Sequence, residues 1–448
     1  MQTLEEIAAT AVKRATELGA TDAECTISEG EEFSAGVRMR EVETLKQAGS
    51  RGAGIRVLIG QHTGSSHTSD LSPEGIENMV RAALSVAKIT TEDPHAGLPE
   101  RSDLGRLTAG LKLYDEAIAN LETEWKISQA LQAEEAALAA DPRIQNSEGG
   151  SFDSYLGKHV FANSRGFLGS YRTSSCGLSV APVAKSNGSM ERDYWHTASR
   201  RAAGIESPAE VGQRAAHRAL RRLNPRKIDT QKAPVIFEPR TARSLLGDLC
   251  DAVSGGAIYR HASFLTGKLG EKIASEALTI IDDSTMPGLF GTAPFDDEGV
   301  VTRRNVVIER GVLKSYLLNT YCARKLGMKT TGNASRGLAG NAGVGPGNFY
   351  IEPGAENEQS MVRGVQNGLY VTELIGASAN TVTGDYSSGA AGLWIENGEL
   401  AYPVSEITIA GNLQQMLLEV RQVASNLEFR HSIESPAILI GEMTISGR

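Results

Sequence analysis

The sequence predicts an α+β fold in three units: a mixed N-terminal unit over 1–98, a central helix-plus-meander unit over 104–227 and a large strand-rich C-terminal unit over 232–448. Three observations point there. Stretches with helical three-and-four apolar spacing are interleaved with period-two runs. Glycine supplies 48 of 448 residues, which provides for many tight turns. The polar stretch ITTEDPHAGLPERSD at 89–103, with Pro94 and Pro99, has the composition of a linker.

Leu4, Ile7, Ala8, Ala11, Val12 and Ala15 fall on one helical face, and Gly19 stops that helix. Residues 23–68 alternate in shorter runs, GAGIRVLIG at 52–60 among them, and read as strands packed on the helix. Ser72-Pro73-Glu74 opens a second helix, with a cap, a proline and an acid in its first turn, running to about Lys88. LETEWKISQALQAEEAALAAD at 121–141 is a strong helix former ended by Pro142. A meander follows to about 197, with turns expected at Glu148-Gly149-Gly150, Ser164-Arg165-Gly166 and Ser186-Asn187-Gly188. SPAEVGQRAAHRALRRLN at 207–224 is again helical. The third unit begins at APVIFEP (233–239), with a helix from about Arg240. It carries two hairpins, turning at Arg310-Gly311 and at Asn397-Gly398, the latter a favoured type I′ pair.

Composition narrows the function classes. With 45 basic and 54 acidic side chains, the net charge of −9 offers no global attraction to nucleic acid or to an anionic membrane. No stretch approaches the ~18 apolar residues of a membrane helix, and MQTLEEIAATAVKRATELGA has no signal-peptide core, so a cytoplasmic protein is expected. Cys25, Cys176, Cys250 and Cys322 are widely separated and read as reduced, buried thiols.

Familiar catalytic patterns are missing. None of the eight histidines is followed by Glu, as a His-Glu-x-x-His metalloprotease helix requires. His62 and His67, five apart in QHTGSSH, read as turn residues, and His159, His196, His217 and His261 show no ligand spacing. Gly376-Ala377-Ser378-Ala379-Asn380 fails the nucleophile-elbow pattern at its last position and reads as a loop. Gly343, Gly345 and Gly347 lack dinucleotide spacing, and Gly267-Lys268 lacks the rest of a phosphate loop. Arg214, Arg218, Arg221 and Arg222, followed by Arg226 and Lys227, read as a solvated helix face rather than a phosphate site. Asp282-Asp283 and Asp296-Asp297-Glu298 sit beside turn signals, where ordinary turn chemistry accounts for them.

From Phe264 onward, FLTGKLGEKIASEALTIIDDSTMPGLFGTAPFDDEGVVTRRNVVIERGVLKSYLLNTYCARKLGMKTTGNASRG resembles the TldD/PmbA family, historically called modulators of DNA gyrase. The run TVTGDYSSGAAGLWIENGELAYPVSEITIAGNL at 381–413 resembles its PmbA branch, also called TldE. The resemblance implies mixed α+β domains. It also implies a TldD branch that carries a His-Glu-x-x-x-His zinc motif on the helix before the FLTGKLGE region and joins the PmbA branch in a heteromeric peptidase. Here that place reads LLGDLCDAVSGGAIYRHASF, with Cys250-Asp251-Ala252-Val253-Ser254-Gly255 at the approximate motif position. Both histidines and the glutamate are absent, so no ligand is carried over. Cys250 and Asp251, with Gly255 at the second histidine's place, form a degenerate remnant of poor affinity and geometry.

The expected function is therefore a metal-free PmbA/TldE-type subunit supporting peptide proteolysis or maturation. Zinc is expected in a TldD-type partner and no cofactor in this chain; the substrate is a peptide or unfolded segment, and the chain alone is expected to form a homodimer. No membrane or nucleic-acid partner is expected. Gly384, Asp385, Tyr386, Ser387, Ser388 and Gly389 open a small-residue segment, 384–399, that is the candidate peptide or partner surface by strand addition. Two rivals remain at this point. One is an autonomous metallopeptidase using His196, His261, Cys250 or Asp251; the other is a gyrase- or DNA-associated regulator using Arg218 and Arg222.

Overall fold

The computed structural model describes residues 2–108, 110–376 and 379–447. The expected loop at 376–380 therefore falls partly, at Ala377 and Ser378, outside the described residues. Helix α1 (Leu4–Glu17) opens with a capping box: Thr3 Oγ1 accepts the Glu6 N–H, and the Glu6 carboxylate accepts the Thr3 N–H. Its buried face is Ala8, Ala11, Val12 and Ala15, small side chains that let the helix lie close to a sheet.

That sheet is antiparallel and seven-stranded. Strands β1 (Asp22–Arg38), β2 (Glu41–Ile59) and β3 (His62–Thr68) come from the N-terminal segment. Helices α2 (Pro73–Ala87), α3 (Glu116–Ala119) and α4 (Thr123–Ala139) intervene. Strands β4 (Ile144–Asn163), β5 (Leu168–Ser186), β6 (Ser189–Arg192) and β7 (Trp195–Ser199) complete it, and α5 (Pro208–Leu220) follows. The order is β3-β2-β1-β4-β5-β6, with β7 also on β5. β1 and β4 pair from Glu24↔Asn163 to Val37↔Gly150, so the segments expected as separate units over 1–98 and 104–227 share one sheet. A pairing between strands more than a hundred residues apart leaves no periodic trace in the sequence. Helices α1 and α2 cover Cys25, Ile27, Ile55, Val57 and Val160, while α4 and α5 cover Val37, Phe152, Leu178 and their neighbours.

Two expectations are corrected in this sheet. Glu148-Gly149-Gly150 is no turn: it lies inside β4 as a register irregularity, with Gly149 at φ +121. His62 and His67 lie on β3 rather than in a turn, paired with Ile59 and Gly54. The other two turns form as expected, with Gly166 at φ +93 and Asn187-Gly188 at φ +51 and +84.

The C-terminal segment starts with β8 (Gln231–Phe237), α6 (Pro239–Val253) and α7 (Gly255–Tyr259). After these come β9 (Ile280–Asp283), β10 (Arg304–Glu309), β11 (Val312–Leu313), α8 (Thr320–Leu326), β12 (Ala334–Ser335), β13 (Gly343–Val344), β14 (Phe349–Ile351) and α9 (Glu358–Arg363). The chain ends with β15 (Asn367–Ile375), β16 (Asp385–Glu396), β17 (Glu399–Asn412), α10 (Leu413–Leu418), β18 (Val420–Val423), β19 (Ile433–Glu434) and β20 (Ile438–Ser446). Strands β17-β16-β15-β8-β20 form a sheet that returns on itself through β17–β20 pairing. A second sheet has the order β11-β10-β9-β14-β19. The apolar face of α6, including Leu245, Leu249, Cys250 and Val253, belongs to the core shared with both sheets. Both predicted hairpin turns form, with Arg310-Gly311 and Asn397-Gly398 all at positive φ. Among the described residues no helix is long and apolar enough to cross a membrane.

Candidate functional site

The two halves of the chain meet over the β1–β2 face that the helices leave free. The segment 336–342 lies so close to β2 that a Cβ on Gly54 would sit 1.5 Å from the Leu338 carbonyl oxygen. Arg336 from this segment reaches Glu24 on β1, and Glu24 also takes a 2.6 Å hydrogen bond from Arg56 Nε on β2. All three side chains are buried. Burial works against the charge on Glu24, but Arg336 and Arg56 together overcome it and hold its pKa below the usual carboxylate range. Arg336 Nη2 also donates to the Asp297 carbonyl at 2.9 Å, which ties the clasp to the turn at 296–299.

Beside this clasp is a cleft of about 490 Å³. Arg56 and Asp93 line it from the N-terminal half, and Ser254, Tyr259, Glu298 and Cys322 from the C-terminal half. Tyr321 O–H donates to Asp93 Oδ2 at 2.8 Å across the junction. Local sequence explains the wall on the α6–α7 side. Ser254 leaves the helical region at ψ 128, ending α6, and Gly255 restarts the chain as α7. A Cβ at Gly255 would lie 2.5 Å from Leu318 Cδ2 and 2.8 Å from Cys322 Cβ, so only glycine allows this approach.

The carboxylates expected to serve turns do so, but deep in the protein. Asp296 accepts N–H groups of Glu298, Val300 and Ala334. Glu298 accepts the Thr320 N–H at 2.9 Å, and burial first, then the nearby Glu24, pushes its pKa up. Asp282 accepts the Gly347 N–H at 2.6 Å and the Asn333 amide at 2.8 Å, and burial pushes it up to about 6.

The arginine run is corrected in the same way. Arg218 is buried, donating to Glu238 at 2.5 and 3.1 Å and lying 3.2 Å from Asp193. Arg221 reaches Glu238 at 3.0 Å, and Arg222 pairs with Glu373. These side chains tie α5 and the turn after it to Glu238, which follows β8, and to β15, and are no solvated face; Arg214, paired with Glu206, is exposed, as are Arg226 and Lys227 beyond the helix.

Family profiles described as PmbA/TldA metallopeptidase domain 1, central domain and C-terminal domain match residues 23–87, 116–223 and 230–447. The chain is 41% identical over 446 residues to Metalloprotease PmbA of Escherichia coli O157:H7, covering 99% of this chain and 96% of that protein. The chain belongs to the PmbA/TldD family. It is also 38% identical to a Metalloprotease PmbA homolog of Haemophilus influenzae, covering 100% of this chain and 96% of that one. The crystal structure of a proposed modulator of DNA gyrase from Bacteroides thetaiotaomicron superposes at TM-score 0.92 with 28% identity, each chain covered in full. TldE from Thermococcus kodakarensis shares the fold at TM-score 0.89 and 22% identity, covering 98% of this chain and 100% of that one.

For a PmbA/TldD chain the question is whether the end of α6 can hold zinc. Cys250 and Asp251 are neighbours on the helix and so point about 100° apart. The Cys250 side chain enters the apolar core, where burial pushes its thiol far above the usual range, while Asp251 is exposed. Gly255 carries no donor. Among the described residues no group of three His, Cys, Asp or Glu side chains is placed to hold a metal ion. The donor set does not fit zinc.

The segment 384–389 is not a single surface. Tyr386 and Ser388 are buried, and Asp385 and Ser387 are exposed. β17 pairs along one edge of β16, and β15 fills the other edge from Gly389 to Glu396. On the β15 side the pairing does not reach residues 385–388, so over the candidate segment only the β17 side of β16 is paired among the described residues. β15 stops at Ile375, opposite Gly389. Of the functional residues, Arg56, Glu24, Arg336 and Tyr321 carried no sequence signal, since each is defined by a partner far along the chain.

Proposed function

We propose that this chain is a metal-free PmbA/TldE-type subunit of a heteromeric cytoplasmic zinc peptidase, supporting proteolysis or maturation of peptides by a TldD-type partner that carries the zinc. The observation that carries this reading is the end of α6: the family's motif position holds one inward thiol, one outward carboxylate and a glycine closed against Leu318. A chain built this way contributes by shaping and closing a chamber rather than by polarising a peptide bond. The sheet offers a wall for that purpose. Side chains alternate across a strand, so Phe152, Cys176 and Leu178 face the helices while their neighbours face away. On that outer face Ser34, Tyr155, Ser175, Gly177 and Phe290 line an open cavity of about 430 Å³, wide enough for an extended peptide.

Neither rival has comparable support. His196, His261, Cys250 and Asp251 do not form a ligand group, and Arg218 and Arg222 are engaged inside the protein. The test is zinc content and peptidase activity of the purified chain, alone and mixed with a zinc-bearing family member from the same cell. A metal-free, inactive chain that the mixture requires is the expected result; stoichiometric zinc with chelator-sensitive cleavage by the chain alone overturns the proposal.

A further inference from the structure

The cleft between the two halves of the chain carries hydrogen-bond donors that the fold does not use. Its carboxylates are engaged. Asp93 accepts the Tyr321 O–H at 2.8 Å and the His95 N–H at 3.0 Å, and Glu298 accepts the Thr320 N–H at 2.9 Å. Arg260 is different: it lines the cleft and is exposed, and its hydrogen bond within the chain goes to the Tyr259 hydroxyl at 3.3 Å. Among the described residues no carboxylate lies within ion-pairing distance of it. Ser254, in the same lining, stands at the start of α7 without making a side-chain cap bond.

The two donors converge. A Cβ placed on Gly256 would lie 3.3 Å from Arg260 Nη2 and 3.6 Å from Ser254 Oγ, so the guanidinium and the hydroxyl face one small volume over a residue that puts no side chain into it. A guanidinium is a planar fork of N–H groups that matches the two oxygens of a carboxylate, and a hydroxyl beside it adds a further donor. Tyr259 and Tyr321 stand next to this volume, edge to face with ring centres 5.8 Å apart, and form an apolar wall with polar tips. Asn341, also in the lining, accepts from Arg56 at 3.3 Å through its carbonyl oxygen and keeps its amide N–H groups for a ligand carbonyl.

Engaged acids and unengaged donors select an anion, and the fork selects a planar one. The cleft holds about 490 Å³, far more than a lone carboxylate fills and enough for a few residues of chain. Hydrolysis of a peptide bond creates one new carboxylate end for every bond broken. We propose that this cleft binds the C-terminal carboxylate of a short peptide, with Arg260 and Ser254 holding the carboxylate over Gly256 and the Tyr259–Tyr321 pair receiving the last side chain. A site of this kind retains the fragment on the N-terminal side of a cleaved bond. The inference takes the source of the carboxylate from the peptidase reading, while the carboxylate chemistry stands on the cleft alone.

The experiment is isothermal titration of the purified full-length chain at neutral pH with three probes: acetyl-alanyl-alanyl-phenylalanine as the free acid, the same tripeptide as its C-terminal amide, and acetylphenylalanine alone. The free acid is expected to bind, and the amide, which lacks the charge, to bind about tenfold or more weakly. Arg260→Gln should raise the Kd of the acid by about tenfold and bring it level with the amide. Gly256→Ala, which fills the volume between the two donors with a methyl group, should weaken the acid in the same way. Both variants keep the fold, because Arg260 is exposed and Gly256 lies within α7, where alanine is favoured; circular dichroism and the urea midpoint verify this. Equal binding of acid and amide, no heat from the acid at millimolar concentration, or an affinity unchanged in both variants overturns the proposal. Acetylphenylalanine binding as tightly as the tripeptide would overturn the peptide as the source, in favour of a small free acid. No probe reads cleavage or zinc, so failure here leaves the subunit reading standing, and failure of the zinc test leaves carboxylate recognition standing.

Discussion

Arg336→Met tests the clasp that holds the two halves of the chain together. The substitution keeps an unbranched stem and removes the guanidinium, whose carbon lies 5.6 Å from the centre of the Phe161 ring. Lost with it are the bond to Glu24 and the 2.9 Å bond to the Asp297 carbonyl. Glu24 keeps only Arg56, at 2.6 Å, and its side chain is fully buried at 0% exposure. Removing one partner from a buried ion pair costs about 3–5 kcal/mol, mostly through the charge left behind. The surviving Arg56 bond places this variant at the lower end, about 3 kcal/mol at pH 7.5. The sign with pH follows from Glu24. Its folded pKa is depressed below an unfolded value near 4.3, so the pairing stabilises the wild type above that pH and is lost as pH falls through the folded value. The deficit of the variant is therefore full at neutral pH and shrinks in acid. Adding Glu24→Gln removes the stranded charge and should recover about 1 kcal/mol or more relative to Arg336→Met alone. Urea denaturation followed by circular dichroism at pH 7.5 and at about pH 3.5 measures both. A variant within 1 kcal/mol of wild type at pH 7.5, or a double variant no more stable than the single one, would refute the reasoning.

Other outcomes follow from the same structure. His196 has both ring nitrogens buried without a partner, and burial, then His431 and three arginines, lowers its pKa to about 3. A depressed histidine stabilises the fold above its unfolded pKa near 6.5 and loses that contribution as pH falls. His196→Phe should therefore remove about 2 kcal/mol of the stability lost between pH 7 and pH 5, read from urea midpoints at the two pH values. Gly54→Ala places a methyl group against the Leu338 backbone and should cost about 3 kcal/mol, seen as a lower urea midpoint. Cys25, Cys176 and Cys322, with thiols pushed by burial to about 12, 11 and 11, should resist iodoacetamide at pH 8 in the native state and react fully in urea.

The reading of the α6 end changes what a family name implies for this chain. Relatives called metalloproteases share nearly its whole length, yet here the end of α6 is taken up by packing: a thiol in the core and a glycine against Leu318. Restoring two histidines there would require more than two substitutions, because Gly255 has no room for a side chain.

What the sequence alone determined is the local structure. Ser72-Pro73-Glu74 marks a helix start because a cap needs residues only a few positions apart. Asn397-Gly398 marks a hairpin because positive φ is a property of those two residues. The absence of a histidine pair was equally legible. Tertiary structure alone decided that β1 meets β4, that the barrel closes through β17 and β20, and that Arg218 and Arg336 are buried. A solvated arginine and a buried one look the same in sequence, since burial depends on carboxylates supplied by distant strands. The candidate site was illegible for the same reason: Arg56, Glu24, Asp93 and Tyr321 become a site only when residues more than two hundred positions apart are brought within hydrogen-bond distance.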